Sequence, residues 1–208
     1  MRRAVWRLGW WCRARHVPSP NFGARPPGLP ITLAVVHSIS LPPGQYGGAE
    51  VERFFTNRLD WEAHPDFDSL RELQVSAHFF IRRDGRALQF VSCDDRAWHA
   101  GVSAWAGQEQ CNDWSIGIEL EGLEGERFEP AQYTTLNRLL RSLARRYPIR
   151  AVVGHEHIAP GRKADPGPGF DWRRLDRELG GRPSVAAQVL LRHRGSTDAN
   201  TRGSGLIR

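Results

Sequence analysis

Four polar features stand at or beside the ends of segments whose composition marks them as buried strands. His37 follows the apolar run Ile31-Thr32-Leu33-Ala34-Val35-Val36, and His155 follows Ala151-Val152-Val153. Glu119 lies inside Ser115-Ile116-Gly117-Ile118-Glu119-Leu120-Glu121, while Lys163 and Asp165 share the loop that begins at Arg162. In open α/β sheets the crevice beyond the strand carboxyl ends is the usual place for a site, so His37, His155 and Asp165 can meet there. Two histidines and one carboxylate leave the fourth tetrahedral position of a zinc ion open, the pattern of a catalytic rather than a closed structural centre. Zinc so held lowers the pKa of water to about 7 and polarises a carbonyl, two routes to hydrolysis.

Such chemistry also needs a carboxylate that takes a proton from water and hands it to the leaving nitrogen. Glu119 is the candidate, because strand alternation turns Ile116, Ile118 and Leu120 to the core and Gly117, Glu119 and Glu121 to the other face. Lys163, two residues before Asp165, can be delivered by the same loop to stabilise a tetrahedral oxyanion. Each residue also has a plainer reading: a lone histidine is commonly a capped or core residue, a lysine a surface group, and Glu119 or Glu121 a solvated strand residue. The combination points to a zinc hydrolase more strongly than any member does.

The elements that must position these groups alternate along the chain. After a Pro/Gly-rich entry comes the strand that ends at His37, then loop residues 41–48 and a helix expected over Ala49 to Leu59, where Val51, Phe54, Phe55 and Leu59 fall at helical spacing. Val75 to Arg82 and Ala87 to Val91, joined by Asp84-Gly85, predict a hairpin. Pro130 opens a helix carried by Tyr133, Leu136, Leu139, Leu140 and Leu143, and a short helix is expected around Asp171 to Leu179. Strands alternating with helices predict an α/β fold, a central mixed sheet flanked by helices, in one domain over residues 1–179. From Gly180 onward Gly, Arg, Ser and Thr dominate, and residues 180–208 are expected to form a flexible tail.

Composition narrows the function. With 208 residues, 40% hydrophobic and 25% charged, the chain reads as a soluble globular protein. The net charge of +6 favours acidic ligands, but the arginines are scattered without a basic stripe, so nucleic acid is not the expected partner. Cys12, Cys93 and Cys111 are odd in number and far apart, which suits a reducing compartment. Near the start, Trp6, Leu8, Trp10 and Trp11 are interrupted by Arg7 and Gly9, so no apolar run of secretory length is present, and none later could span a bilayer. A cytoplasmic monomer without membrane contact is the expectation.

Six stretches carry a resemblance. They are Arg15-His-Val-Pro-Ser-Pro-Asn-Phe22, Val35-Val-His-Ser-Ile-Ser-Leu-Pro-Pro-Gly44, Ser76-Ala-His-Phe-Phe-Ile-Arg-Arg-Asp-Gly85, Arg96-Ala-Trp-His-Ala-Gly-Val-Ser103, Cys111-Asn-Asp-Trp-Ser-Ile-Gly-Ile-Glu-Leu-Glu-Gly122, and Gly154 to Pro168. Over roughly Ala14 to Leu179 the chain resembles the type 2 N-acetylmuramoyl-L-alanine amidase family, shared with phage amidase lysozymes and peptidoglycan recognition proteins, and within it the cytoplasmic recycling enzymes. The resemblance implies a mixed sheet flanked by helices, zinc held by His37, His155 and Asp165, Glu119 as catalytic carboxylate and Lys163 as oxyanion stabiliser. It also implies that Trp98 and Arg162 line the groove of a small muropeptide substrate, a 1,6-anhydro-N-acetylmuramyl peptide recovered during cell-wall recycling. Relatives of the phage and recognition branch use a tyrosine on the strand that here reads Ala77-His78, which leaves Glu119 as the base and His78 as a structural or supporting histidine. Ser38 stands where asparagine is common, and Gln74 and Gln110 where basic residues are expected. The rival expectation is a peptidoglycan-binding module without catalysis; Asp165 argues against it, because a sugar groove alone has no use for an open zinc triad.

Overall fold

The computed structural model describes residues 4–179, and the tail expected from Gly180 lies outside the described residues. A six-stranded mixed sheet forms the centre. Its strands are β1 (Arg15–His16), β2 (Leu33–Ile39), β3 (Phe79–Ile81), β4 (Ala87–Gln89), β5 (Ser115–Glu121) and β6 (Ala151–Gly154), arranged in the order β6-β2-β5-β3-β4-β1. The four strands β6, β2, β5 and β3 run parallel, β3 and β4 form the expected antiparallel hairpin, and β1 lies parallel to β4. Because β2 and β5 are interior, both of their faces are covered, which is why their sequences are almost continuously apolar.

One face of the sheet packs under α2 (Pro130–Arg146) and α4 (Trp172–Leu179). Val36, Phe79, Ile81, Ile116, Ile118 and Leu120 meet Leu136, Leu139, Leu140, Leu143 and Leu175 there in the largest core cluster. Buried Gln132 ties the helix to the sheet: its amide donates to Ile81 O at 3.1 Å and Glu121 O at 3.0 Å, while its carbonyl accepts the Glu129 N–H that would otherwise lack a partner at the helix start. On the opposite face, Leu33 and Val35 pack with Val153, Ala100, Cys111 and Trp114. The second face also carries His37 and Glu119.

Three local expectations are corrected. The helix after the loop is α1 (Glu50–Phe55), shorter than Ala49 to Leu59. It stops because the Thr56 hydroxyl bonds back to Glu52 O at 2.7 Å and Asn57 takes a left-handed φ of 56°, a conformation asparagine tolerates, with its side chain held by Asn21. Leu59 still reaches the core beyond that turn. The hairpin strands are shorter than Val75–Arg82 and Ala87–Val91, since residues 75–78 make only isolated bonds, among them His78 N–H to Gly117 O. The N-terminal tryptophan segment, read from sequence only for export, is structural: Trp6–Arg7 pairs with Trp10–Trp11, and both Trp6 and Trp11 meet Phe79 edge-on. Among the described residues no helix is long and apolar enough to cross a membrane. The three cysteines are free.

Candidate active site

Strand register assembles the site. Glu119 on β5 is the parallel partner of His37 on β2, and Gly154 on β6 is the partner of Val36, so His155 emerges one step further, level with His37. His155 begins the four-residue turn α3 (His155–Ile158), and the loop beyond it folds back so that Glu156 N–H donates to Asp165 O at 3.0 Å. That closure sets Asp165 against both histidines. His37 Nδ1 lies 3.0 Å from His155 Nδ1 and 3.1 Å from Asp165 Oδ2, and His155 Nδ1 lies 3.2 Å from the same oxygen.

These three atoms fit a metal. Ligands about 2.0–2.2 Å from a tetrahedral zinc stand about 3.3–3.5 Å apart, close to the triangle seen here. Two imidazole nitrogens and one carboxylate oxygen are also the donor types that zinc takes. No other cluster of three or more such groups within reach of one ion occurs among the described residues. Burial drives the His37 imidazolium down to about 4, so it is neutral and able to ligate at pH 7. Burial alone would raise Asp165, but the hydrogen bonds from His155 and His37 hold its carboxyl well below the usual range, so it is ionised.

Glu119 sits beside this triangle, buried, with Oε2 lacking any hydrogen-bond partner. Burial, and then the negative charge of Asp165, raises its carboxyl well above the ordinary value, while Lys163 pulls it back. A buried polar atom left unpaired is costly and needs an explanation, and a site that receives water or substrate supplies one. Lys163 is exposed and its charge is felt by both His37 and Glu119. It lines, with Asp165, Arg162, Ser38 and Ser40, a cavity of about 640 Å³.

Arg162 also borders a second cavity of about 820 Å³ and donates from Nη2 to Ala100 O at 2.8 Å and Val102 O at 2.6 Å, tying two loops together. Trp98 is half-buried, its backbone tied to Ser76 and its indole beside Gly23; it does not line either cavity. Glu121, two residues from Glu119, is not solvated: it is 4% exposed and accepts from Arg82, Gly47 N–H and Arg83 N–H. His78 is held within the fold, its Nδ1 accepting Gly117 N–H at 3.0 Å and its Nε2 lying 3.1 Å from Asp95 O and 3.0 Å from Arg25 Nη2. The residue that sequence reasoning passed over is His99, whose Nδ1 lies 2.9 Å from His37 Nε2. It was visible only as part of the Trp98-His99-Ala100-Gly101 stretch.

A mixed sheet that sets a His-His-Asp donor group next to a buried carboxylate, with Asp165 and a lysine lining one cavity, gathers the groups that metal-assisted hydrolysis uses. Residues 27–168, more than half of the chain, match the family Amidase_2, N-acetylmuramoyl-L-alanine amidase, and the chain belongs to it. Over 169 residues it is 52% identical to the 1,6-anhydro-N-acetylmuramyl-L-alanine amidase AmpD of Citrobacter freundii, covering 80% of this chain and 90% of that relative. A crystal structure of a selenomethionine derivative of AmpD superposes with a TM-score of 0.81 at 49% identity, over 85% of this chain and 99% of the other. The Escherichia coli amidase AmiD, in complex with anhydro-N-acetylmuramic acid-L-Ala-D-γ-Glu-L-Lys, superposes at 0.54 with 33% identity, over 73% of this chain and 59% of that one.

Proposed function

We propose that this chain is a zinc-dependent amidase that hydrolyses the bond between N-acetylmuramic acid, in its 1,6-anhydro form, and the L-alanine of small muropeptides during cell-wall recycling. The observation that carries this reading is the convergence of His37 Nδ1, His155 Nδ1 and Asp165 Oδ2 within 3.2 Å of one another, beside a carboxyl with an unpaired oxygen. The substrate class rests on the likeness to AmpD and on the muropeptide held by AmiD. Three free cysteines suit a reducing compartment, and the proposal takes the cytoplasm as the place of action.

Zinc, when held by His37, His155 and Asp165, supplies a Lewis acid that polarises the amide carbonyl and lowers the pKa of water. The remaining work belongs to the chain. Glu119, whose burial raises its proton affinity while Lys163 opposes the shift, takes the proton from the attacking water and passes it to the leaving nitrogen of L-alanine. Lys163 offsets the negative charge that develops on the carbonyl oxygen. Arg162, on the rim of the cavity that Asp165 and Lys163 line, offers a cation to a peptide carboxylate of the substrate.

The test is incubation of zinc-loaded protein with anhydromuropeptide and, separately, with intact peptidoglycan, with products read by mass spectrometry. Free peptide from the soluble anhydro substrate supports the reading. Release mainly from intact wall would make it a lytic amidase, and release from neither would favour a binding module.

A further inference from the structure

The arginines lie scattered along the sequence, and the fold collects five of them around one cavity. Arg13 comes from the segment before β1, Arg15 from β1 itself, Arg82 and Arg86 from the two sides of the turn between β3 and β4, and Arg138 from α2. With Gly47, Gly48 and Ala49 at the entry to α1 they surround about 460 Å³, a volume within the range of small-molecule sites. None of these residues lines the cavity that holds Lys163 and Asp165, so the arginine cavity stands apart from the amidase reading.

The charge around this cavity is one-sided. Its one lining carboxylate, Glu52, is shared between Arg15 and Arg82, with Arg82 Nη2 2.7 Å from Oε1. Arg82, only 7% exposed, also pairs with Glu121 at 3.2 Å, and Arg86 pairs with Asp84 at 2.6 Å. Arg13 and Arg138 have no hydrogen bond or ion pair among the described residues, which leaves two positive charges at the cavity without a counter-charge. Trp11, 1% exposed, belongs to the same wall, and its indole N–H lacks a hydrogen-bond partner. A buried donor left unpaired needs an explanation, and an acceptor brought into the cavity supplies one.

We propose that this cavity binds a small molecule carrying a diphosphate group, with Arg13 and Arg138 supplying the charges that meet it. A phosphate sets its oxygens around a tetrahedron and accepts from guanidinium forks on several sides, whereas a carboxylate accepts in one plane. The arginines here reach the cavity from three separate parts of the fold: the N-terminal segment, the β3–β4 turn and α2. Two unmatched positive charges call for a ligand with at least two negative ones. Ala49, Ala87 and Leu88 complete the wall with apolar surface for the carbon part of such a ligand.

The experiment titrates the full chain, zinc-loaded and again after chelation, with inorganic pyrophosphate at constant ionic strength, and reads proton–nitrogen NMR spectra. Inorganic phosphate and citrate are titrated in parallel. Saturable shifts at Gly47, Gly85 and the Trp11 indole N–H are expected with pyrophosphate in both states, with weaker binding of phosphate and of citrate. Arg13→Gln and Arg138→Gln, both at exposed positions, are each expected to weaken pyrophosphate about 10–100-fold, the loss of a hydrogen bond to a charged group. Arg145→Gln, on the same helix but outside the cavity, removes the same charge and is expected to leave the affinity unchanged. Shifts confined to Ser38 and Gly122, beside Asp165, or seen only with zinc, would place pyrophosphate at the metal and overturn the proposal. An equal loss in Arg145→Gln, citrate binding as tight as pyrophosphate, or no saturable shift at all would overturn it as well.

Discussion

His37 and Glu119 are direct partners across the parallel ladder between β2 and β5, so strand register places an imidazole proposed to hold metal beside the carboxyl proposed to move the proton. Neither residue depends on a loop for its position. A shift of either strand by one residue would turn one of them into the opposite core.

Removing the carboxylate while keeping the shape isolates its role. Glu119→Gln is expected to retain zinc and to lower kcat by about a hundredfold to ten-thousandfold, the usual range for a lost acid–base group. Metal analysis alongside steady-state kinetics on anhydromuropeptide checks both halves, and unchanged turnover would remove Glu119 from the mechanism.

The same variant predicts a pH signature in stability. Glu119's carboxyl is raised above its ordinary value of 4.5 in the folded protein, so the folded state binds more protons than the unfolded one between those two values. The wild type's contribution from this group is present below about pH 4.5 and is lost as pH rises through the raised value. In chelated protein, Glu119→Gln should therefore gain Tm relative to wild type as pH rises from 5 to 8. Thermal melts at the two pH values check this, and a gap that does not change with pH would contradict it.

Two residues along the same strand face, the outcome should invert. Glu121 accepts from Arg82, Gly47 N–H and Arg83 N–H in a buried setting, and Arg82 is only 8% exposed. Glu121→Ala is expected to cost about 3–5 kcal/mol of stability by stranding buried charge, with little change in kcat per folded molecule. Denaturant unfolding and active-site-normalised kinetics separate the two effects.

This pair also marks where sequence reading succeeds and where it stops. Strand alternation put Glu119 and Glu121 on one face, opposite Ile116, Ile118 and Leu120, because a period of two is a local property of the chain. It could not tell them apart, since what covers Glu121 is Arg82, just past the end of β3 and 39 positions away. His99 was missed for the same reason: its ring meets His37, 62 positions earlier, and spacing carries no trace of that contact. The convergence of His37, His155 and Asp165 was legible because each stands at or beyond the end of a short apolar strand, where α/β sheets place their sites. The helix over Ala49 to Leu59 was over-read because apolar spacing persists through Leu59, while Thr56 and Asn57 end the hydrogen bonding at Phe55.

The proposed mechanism gives Lys163 a charge to contribute and no metal to bind. Lys163→Ala is expected to keep zinc and to lower kcat by about 10²–10³, with a smaller effect on KM, because the charge is needed most as the oxyanion forms. Equal losses in ground-state binding and turnover would assign it to substrate capture instead.

Zinc held by His37, His155 and Asp165 is proposed to serve this chain in cutting the muramyl–L-alanine bond. The most direct measurement is release of free peptide from anhydromuropeptide by chelated protein, by the same protein after one equivalent of zinc, and by Asp165→Ala given the same zinc. No release is expected before zinc, full release after it, and neither metal retention nor release in Asp165→Ala. Equal release by the metal-free protein, or by Asp165→Ala without bound zinc, would contradict it.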